Sequence, residues 1–136
     1  DRTRLLRVLA AHDVGRAINP QKIEGQIEGS CHQAQGYALS EDFPLVEGIP
    51  KARTYRDLHV PGIMDAPTVR TLIVEKPDDT GPLGAKGISE VATVPLTPAI
   101  LNAIYDAVGA RIYSLPATPD RVLSALKQTP TAERPE

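Results

Sequence analysis

Asn19-Pro20-Gln21-Lys22-Ile23-Glu24-Gly25-Gln26-Ile27-Glu28-Gly29-Ser30-Cys31-His32-Gln33-Ala34-Gln35-Gly36-Tyr37-Ala38 is the stretch on which the fold turns. Asn19 before Pro20 is a helix start: the asparagine side chain can accept an N–H of the first turn, and the N–H that proline lacks is not needed at the first helical position. From there Ile23, Ile27, Cys31, Ala34 and Ala38 recur at helical spacing and form one apolar stripe. Glu24, Glu28 and Gln35 fall away from that stripe and are expected in solvent. Gly25, Gly29 and Gly36 share a third face, within about 40° of one another at roughly 100° per residue. Each should cost about 1 kcal/mol of helix propensity, so the spacing predicts close approach there by another backbone or by a ligand.

Working outward, residues 4–11 (RLLRVLAA) are an apolar run that suits a buried strand leading into the turn His12-Asp13-Val14-Gly15. Downstream, extended runs are expected at Leu45-Val46, at 52–60 and at 68–75, with Pro44, Pro50, Pro61 and Pro67 at strand ends or edges. Thr97-Pro98 repeats the helix-start device and predicts a second helix, Pro98 to Val108, with Ile100, Ala103, Ile104 and Ala107 on one face and Gly109 as its left-handed terminator. Thr118-Pro119 predicts a third, with Val122, Leu123 and Leu126 facing inward. The expected fold class is α+β, about three helices on a small, mostly antiparallel or mixed sheet. It should form one unit over residues 1–127, with 128–136 as a disordered tail.

The 136 residues allow one core that buries about two-thirds of the unfolded surface. With 41% hydrophobic and 24% charged residues the chain is globular and not disordered. A net charge of -2, without a run of like charge, argues against a nucleic-acid partner. No apolar run approaches the roughly 20 residues that span a bilayer, so the chain reads as soluble, with no membrane partner. The single cysteine, Cys31, excludes a disulfide framework and a cysteine-built metal centre, and its place on the apolar stripe makes it a small buried hydrophobe.

The segment with chemical potential is Thr80-Gly81-Pro82-Leu83-Gly84-Ala85-Lys86-Gly87-Ile88-Ser89-Glu90. Three glycines at intervals of three let the backbone approach a ligand, and a carboxylate stands at the end. The phosphate-loop pattern fails because Gly87, not Ser or Thr, follows Lys86. From spacing alone, a surface connector with one exposed glutamate is the better reading, since most glycine-rich loops are connectors. His12 and Asp13 have no partners at ligand spacing, so hydrogen bonding within the structure is the better role for them than metal binding. His32 and His59 are expected at the solvated surface.

Four motifs, in this order, resemble the molybdenum-binding subunit of the xanthine dehydrogenase and aldehyde oxidase family: His12-Asp13-Val14-Gly15-Arg16-Ala17-Ile18-Asn19-Pro20, Gly25-Gln26-Ile27-Glu28-Gly29, Gly84-Ala85-Lys86-Gly87-Ile88-Ser89-Glu90 and Leu115-Pro116-Ala117-Thr118-Pro119. The resemblance runs from about residue 12 to residue 127. With the abrupt, strand-like opening of the chain, it implies a C-terminal piece of a larger molybdopterin-binding subunit. It implies that Gln26 contacts the oxo edge of the molybdenum centre through its amide. Gln33, seven residues on, shares that edge of the helix. An ordinary helix-surface role stays open for both. It implies further that Glu90 is the general base for hydroxylating an electron-poor carbon with oxygen from water, and that Gly87 and Ser89 lie against the cofactor. Ser89 departs from the glycine that many members carry there, which leaves substrate preference open. The implied cofactor is molybdopterin with molybdenum, in its mononucleotide or dinucleotide form. The implied partners are the rest of the molybdenum subunit, [2Fe-2S] and FAD subunits or domains, and a small-molecule substrate, in a cytoplasmic oligomer. On this reading the chain is not active alone. The competing expectation is a non-catalytic interaction module that kept the family fold.

Overall fold

The structure, a computed structural model, describes residues 3–128. Strand β1 (Arg7–Asp13) leads into helix α1 (Pro20–Leu39), a two-residue hairpin pair β2 (Leu45–Val46) and β3 (Ile49–Pro50), strand β4 (Thr68–Val74), and helices α2 (Thr93–Val108) and α3 (Pro119–Gln128). β1 and β4 pair in parallel, Arg7 opposite Thr68 through Asp13 opposite Val74, while β2 and β3 are antiparallel. The described residues thus form two separate two-stranded sheets, one parallel and one antiparallel, and the longer is the parallel one. A parallel pair needs a long crossover, and here α1 and the segment that follows it supply one.

α1 is the centre of the core. Asn19 accepts from Lys22 N at 3.0 Å through its side chain, and Pro20 opens the helix as expected. Its apolar stripe packs with Val8 and Ala10 of β1 and Leu96, Ile100 and Ile104 of α2. Cys31 lies in this core at 1% exposure; burial, and secondarily the Glu28 carboxylate, push its thiol pKa up. Ala117 N donates to Ala38 O at 2.6 Å, which ties the approach to α3 onto the end of α1.

Several expectations need correcting. α2 begins at Thr93, four residues before Thr97, and carries Pro98 inside it. Thr97 caps nothing: it is buried, and its hydroxyl has no partner. Pro98 sits in the second turn, where its missing N–H removes the helical bond to Val94 and its ring crowds that carbonyl. The buried face of α2 is Leu96, Thr97, Ile100 and Ile104, with Ala103 and Ala107 exposed. Residues 52–60 form turns and not a strand. Asp57 Oδ2 accepts from the N–H groups of Arg53 and Thr54 at 3.0 Å each, and Thr54 Oγ1 accepts from Asp57 N. Such local side-chain bonds outcompete a ladder. Gln35 is buried and donates to Asp65 O at 2.8 Å. His32 is half-buried, its Nε2 3.2 Å from Pro61 O. On α3 Val122 packs on the core, but Leu123 is 51% exposed. Gln128 is the last residue of α3 and so is not tail; residues 129–136 lie outside the described residues.

Candidate functional site

The site is built where the end of β1 meets the glycine-rich segment. Past Asp13 the chain turns through Gly15, whose φ of 63° falls in the left-handed region that favours glycine. Gly15 also pairs with Ala85 in an antiparallel bridge, and a Cβ added there would stand 2.8 Å from Lys86 N. Two backbone bonds complete the join: Lys86 N donates to Val14 O at 2.9 Å and Arg16 N to Gly84 O at 2.8 Å. The motif His12–Arg16 is thus a receptor for residues 84–86.

Side chains reinforce it. Asp13 Oδ2 pairs with Lys86 Nζ at 2.6 Å, and its Oδ1 accepts from Gly15 N at 2.9 Å and Lys76 N at 3.4 Å. The Lys86 ammonium foremost, then the Gly15 N–H, hold the Asp13 carboxyl below the usual aspartate range. The hydrogen-bonding role expected of Asp13 is what the structure shows. Asp78 makes a second turn in the segment, accepting from Thr80 N, Thr80 Oγ1 and Gly81 N at 2.8, 2.6 and 3.1 Å.

Beyond Lys86 the segment reaches α1. Ser89 O accepts from Gln26 Nε2 at 3.1 Å and from Ser30 Oγ at 3.3 Å. Glu90 O accepts from Thr93 N at 3.0 Å at the start of α2, and the Glu90 side chain is exposed. Gln26 therefore meets, 63 positions along the chain, the residue next to Glu90. Gly87 is exposed, and a Cβ on it would meet nothing within 4 Å; the same holds for Gly25 and Gly29, either side of Gln26. Gln33 is exposed and outside this group. Ser30 and the Asp13–Lys86 pair belong to the site but went unassigned in the sequence. Ser30 lies four residues after Gln26, on the same helix edge, which was the available signal.

These groups suit a polar, planar cofactor. Gln26 commits one N–H to Ser89 and keeps its carbonyl oxygen and a second N–H, and the flanking glycines leave the helix surface flat. Among the described residues no three His, Cys, Asp or Glu side chains are grouped to hold a metal ion.

Comparison with known proteins agrees. The molybdopterin cofactor-binding domain matches residues 2–67. A protein of Bacillus subtilis (strain 168), named as a probable xanthine dehydrogenase component, is 35% identical over 112 residues, 82% of this chain and 15% of that protein. Aldehyde oxidoreductase of Megalodesulfovibrio gigas is 42% identical over 116 residues, 85% of this chain and 12% of that protein. The crystal structure of quinoline 2-oxidoreductase from Pseudomonas putida 86 superposes with a TM-score of 0.85 at 30% identity, over 93% of this chain and 17% of that one. Fold and match together define a piece of a molybdopterin-binding domain. The chain belongs to the xanthine dehydrogenase and aldehyde oxidase family of molybdenum hydroxylases, where it corresponds to part of the molybdenum-binding subunit. It spans less than a fifth of the length of these relatives.

Proposed function

We propose that this chain supplies one wall of the active site of a molybdenum hydroxylase, with Gln26 contacting the cofactor and Glu90 acting as general base. The observation that carries this reading is the Gln26 to Ser89 hydrogen bond, which couples an amide suited to a cofactor edge to the residue preceding the carboxylate. The molybdenum cofactor, when bound, supplies the two-electron redox centre at which oxygen from water is transferred to an electron-poor carbon of a small molecule.

Around it each residue has a distinct task. Gln26 orients the cofactor with the carbonyl and N–H that it does not give to Ser89. Gly87 and Ser89 offer backbone close to the same ligand. Glu90, on a segment fixed at both ends, holds a carboxylate ready to take a proton from the attacking oxygen. The hydroxyl that Ser89 brings, where many members have glycine, adds a polar group beside the substrate. The rest of the molybdenum subunit completes the enclosure. Iron–sulfur and FAD partners carry the electrons away, in a cytoplasmic oligomer. Several relatives are themselves named as subunits, of a xanthine dehydrogenase, of a 6-hydroxypseudooxynicotine dehydrogenase complex and of a nicotine 6-hydroxylase. Among the described residues no helix is long and apolar enough to cross a membrane.

Glu90→Gln in the complete assembled enzyme is the test. The amide keeps the size and reach of the carboxylate but cannot accept the proton, so molybdenum content should stay at the wild-type level. Reduction of the centre by substrate should fall by at least about 10²–10⁴-fold, the usual cost of losing a positioned base. Reduction at the wild-type rate would overturn the assignment.

A further inference from the structure

We infer that Asp13 is a positioning residue for Glu90 and acts through Lys86, an inference that rests on Glu90 being the base. The segment from Lys86 to Ser89 is fastened at its two ends. At the far end Ser89 O is held by Gln26 and Ser30. At the near end two backbone bonds, Lys86 N to Val14 O and Arg16 N to Gly84 O, hold the chain on either side of Ala85. Gly84, with a φ of 75°, is held by its own backbone bonds, whereas a Cβ on Gly87, the residue after Lys86, would meet nothing within 4 Å. The 2.6 Å ion pair from Lys86 Nζ to Asp13 Oδ2 adds a side-chain fastening at the residue that precedes Gly87.

Asp13 is a firm post for this purpose. It ends β1, opposite Val74 in the parallel pair, and its Oδ1 is engaged by the N–H groups of Gly15 and Lys76. The carboxylate cannot turn without breaking those bonds. Both partners are about one-third exposed, 31% for Lys86 and 37% for Asp13, and exposed ion pairs add little to global stability. The pair's contribution is therefore positional: a general base works only within hydrogen-bond reach of its proton, and small misplacements cost rate steeply. This also accounts for Lys86 in a loop that fails the phosphate-binding pattern, since its ammonium serves the protein's own carboxylate.

The experiment is a mutant cycle in the assembled enzyme among Asp13→Asn, Lys86→Met and Glu90→Gln. It reads substrate reduction of the molybdenum centre, KM, molybdenum content and hydrogen exchange of amides 84–90. Asparagine retains an oxygen for Gly15 and Lys76 while discarding the charge. Asp13→Asn and Lys86→Met should each slow reduction about tenfold, with KM and metal content unchanged and faster exchange at Lys86 N. The double variant should be no slower than either single one, and Lys86→Arg should keep most of the rate. In the Glu90→Gln background Asp13→Asn should change nothing further. A wild-type rate in both Asp13→Asn and Lys86→Met, with Glu90→Gln inactive, sinks this inference alone. An equal further loss in the Glu90→Gln background sinks it too, because Asp13 would then act on more than the base. Wild-type activity in Glu90→Gln instead removes the proposed function itself.

Discussion

The two halves of α1 carry the same glycine face into opposite surroundings. In the C-terminal half Gly36 is buried, and a Cβ there would stand 2.8 Å from Pro61 Cδ and press on the Glu41 side chain. Beside it Gln35 and His32 engage the carbonyls of Asp65 and Pro61. In the N-terminal half Gly25 and Gly29 meet nothing within 4 Å, and contact with the glycine-rich segment comes through Gln26 and Ser30 at Ser89 O. Of the three glycines for which the spacing predicts a close approach, the structure thus shows one only at Gly36. One end is met by this chain itself, and the other opens on the proposed cofactor site.

The largest effect tests what the halves share. Ile27 is 0% exposed and packs in the one core that runs beneath both. Ile27→Ala should destabilise the protein by about 2–5 kcal/mol, the usual cost of truncating a buried aliphatic side chain. Urea unfolding measures it, and a change under about 1 kcal/mol would mean that α1 does not organise the core.

The same contrast explains what could be read without coordinates. The start of α1 and its stripe are local: Asn19 caps a turn three residues away, and the apolar spacing is a property of the helix alone. The burial of Gln35 and His32 is not local. At about 100° per residue they lie off the stripe, and they are covered only because residues 61–65 fold back over them. Thr97-Pro98 misleads for a related reason: proline is tolerated early in a helix, so the device does not fix the first residue. The parallel register of β1 and β4 joins residues 61 positions apart in sequence, such as Arg7 and Thr68, beyond any periodicity. Family resemblance, and not spacing, suggested one site for Gln26 and Glu90, and the structure joins Gln26 to Ser89, the residue before Glu90; the Asp13–Lys86 pair was not legible at all.

Next in size is a pair of substitutions expected to differ in sign. Gly36→Ala forces Pro61 or Glu41 to move and should cost about 1–3 kcal/mol, as overpacking does. Gly29→Ala meets open space and should add up to about 1 kcal/mol through helix propensity. In the assembled enzyme the Gly29 variant should nonetheless lower molybdenum content if the proposed function is right, because its methyl group would occupy the face which that proposal gives to the cofactor. Equal signs in the unfolding measurement would erase the distinction between the two halves.

The smallest effect separates the two ends by pH. Burial raises the Glu41 carboxyl, beside Gly36, above the ordinary glutamate range, and His32 opposes this only in part. A raised folded pKa means that the folded state binds the proton more tightly, so stability is fully present below the ordinary value of about 4.3 and is lost as pH rises through the higher folded value. Asp13 has the opposite sign. Its depressed pKa gives stability that is present above about 3.9 and lost as pH falls toward the folded value. Acidification from neutrality should therefore first tighten the Gly36 end and then, below about pH 4, loosen the clamp on the glycine-rich segment. Hydrogen-exchange protection factors resolve the two, because Ser40 N and Glu41 N both donate to Gly36 O while Lys86 N donates to Val14 O. Glu41→Gln should abolish the first change and Asp13→Asn the second, each without touching the other. Protection that falls in parallel at both ends on acidification would show that the two halves titrate as one unit.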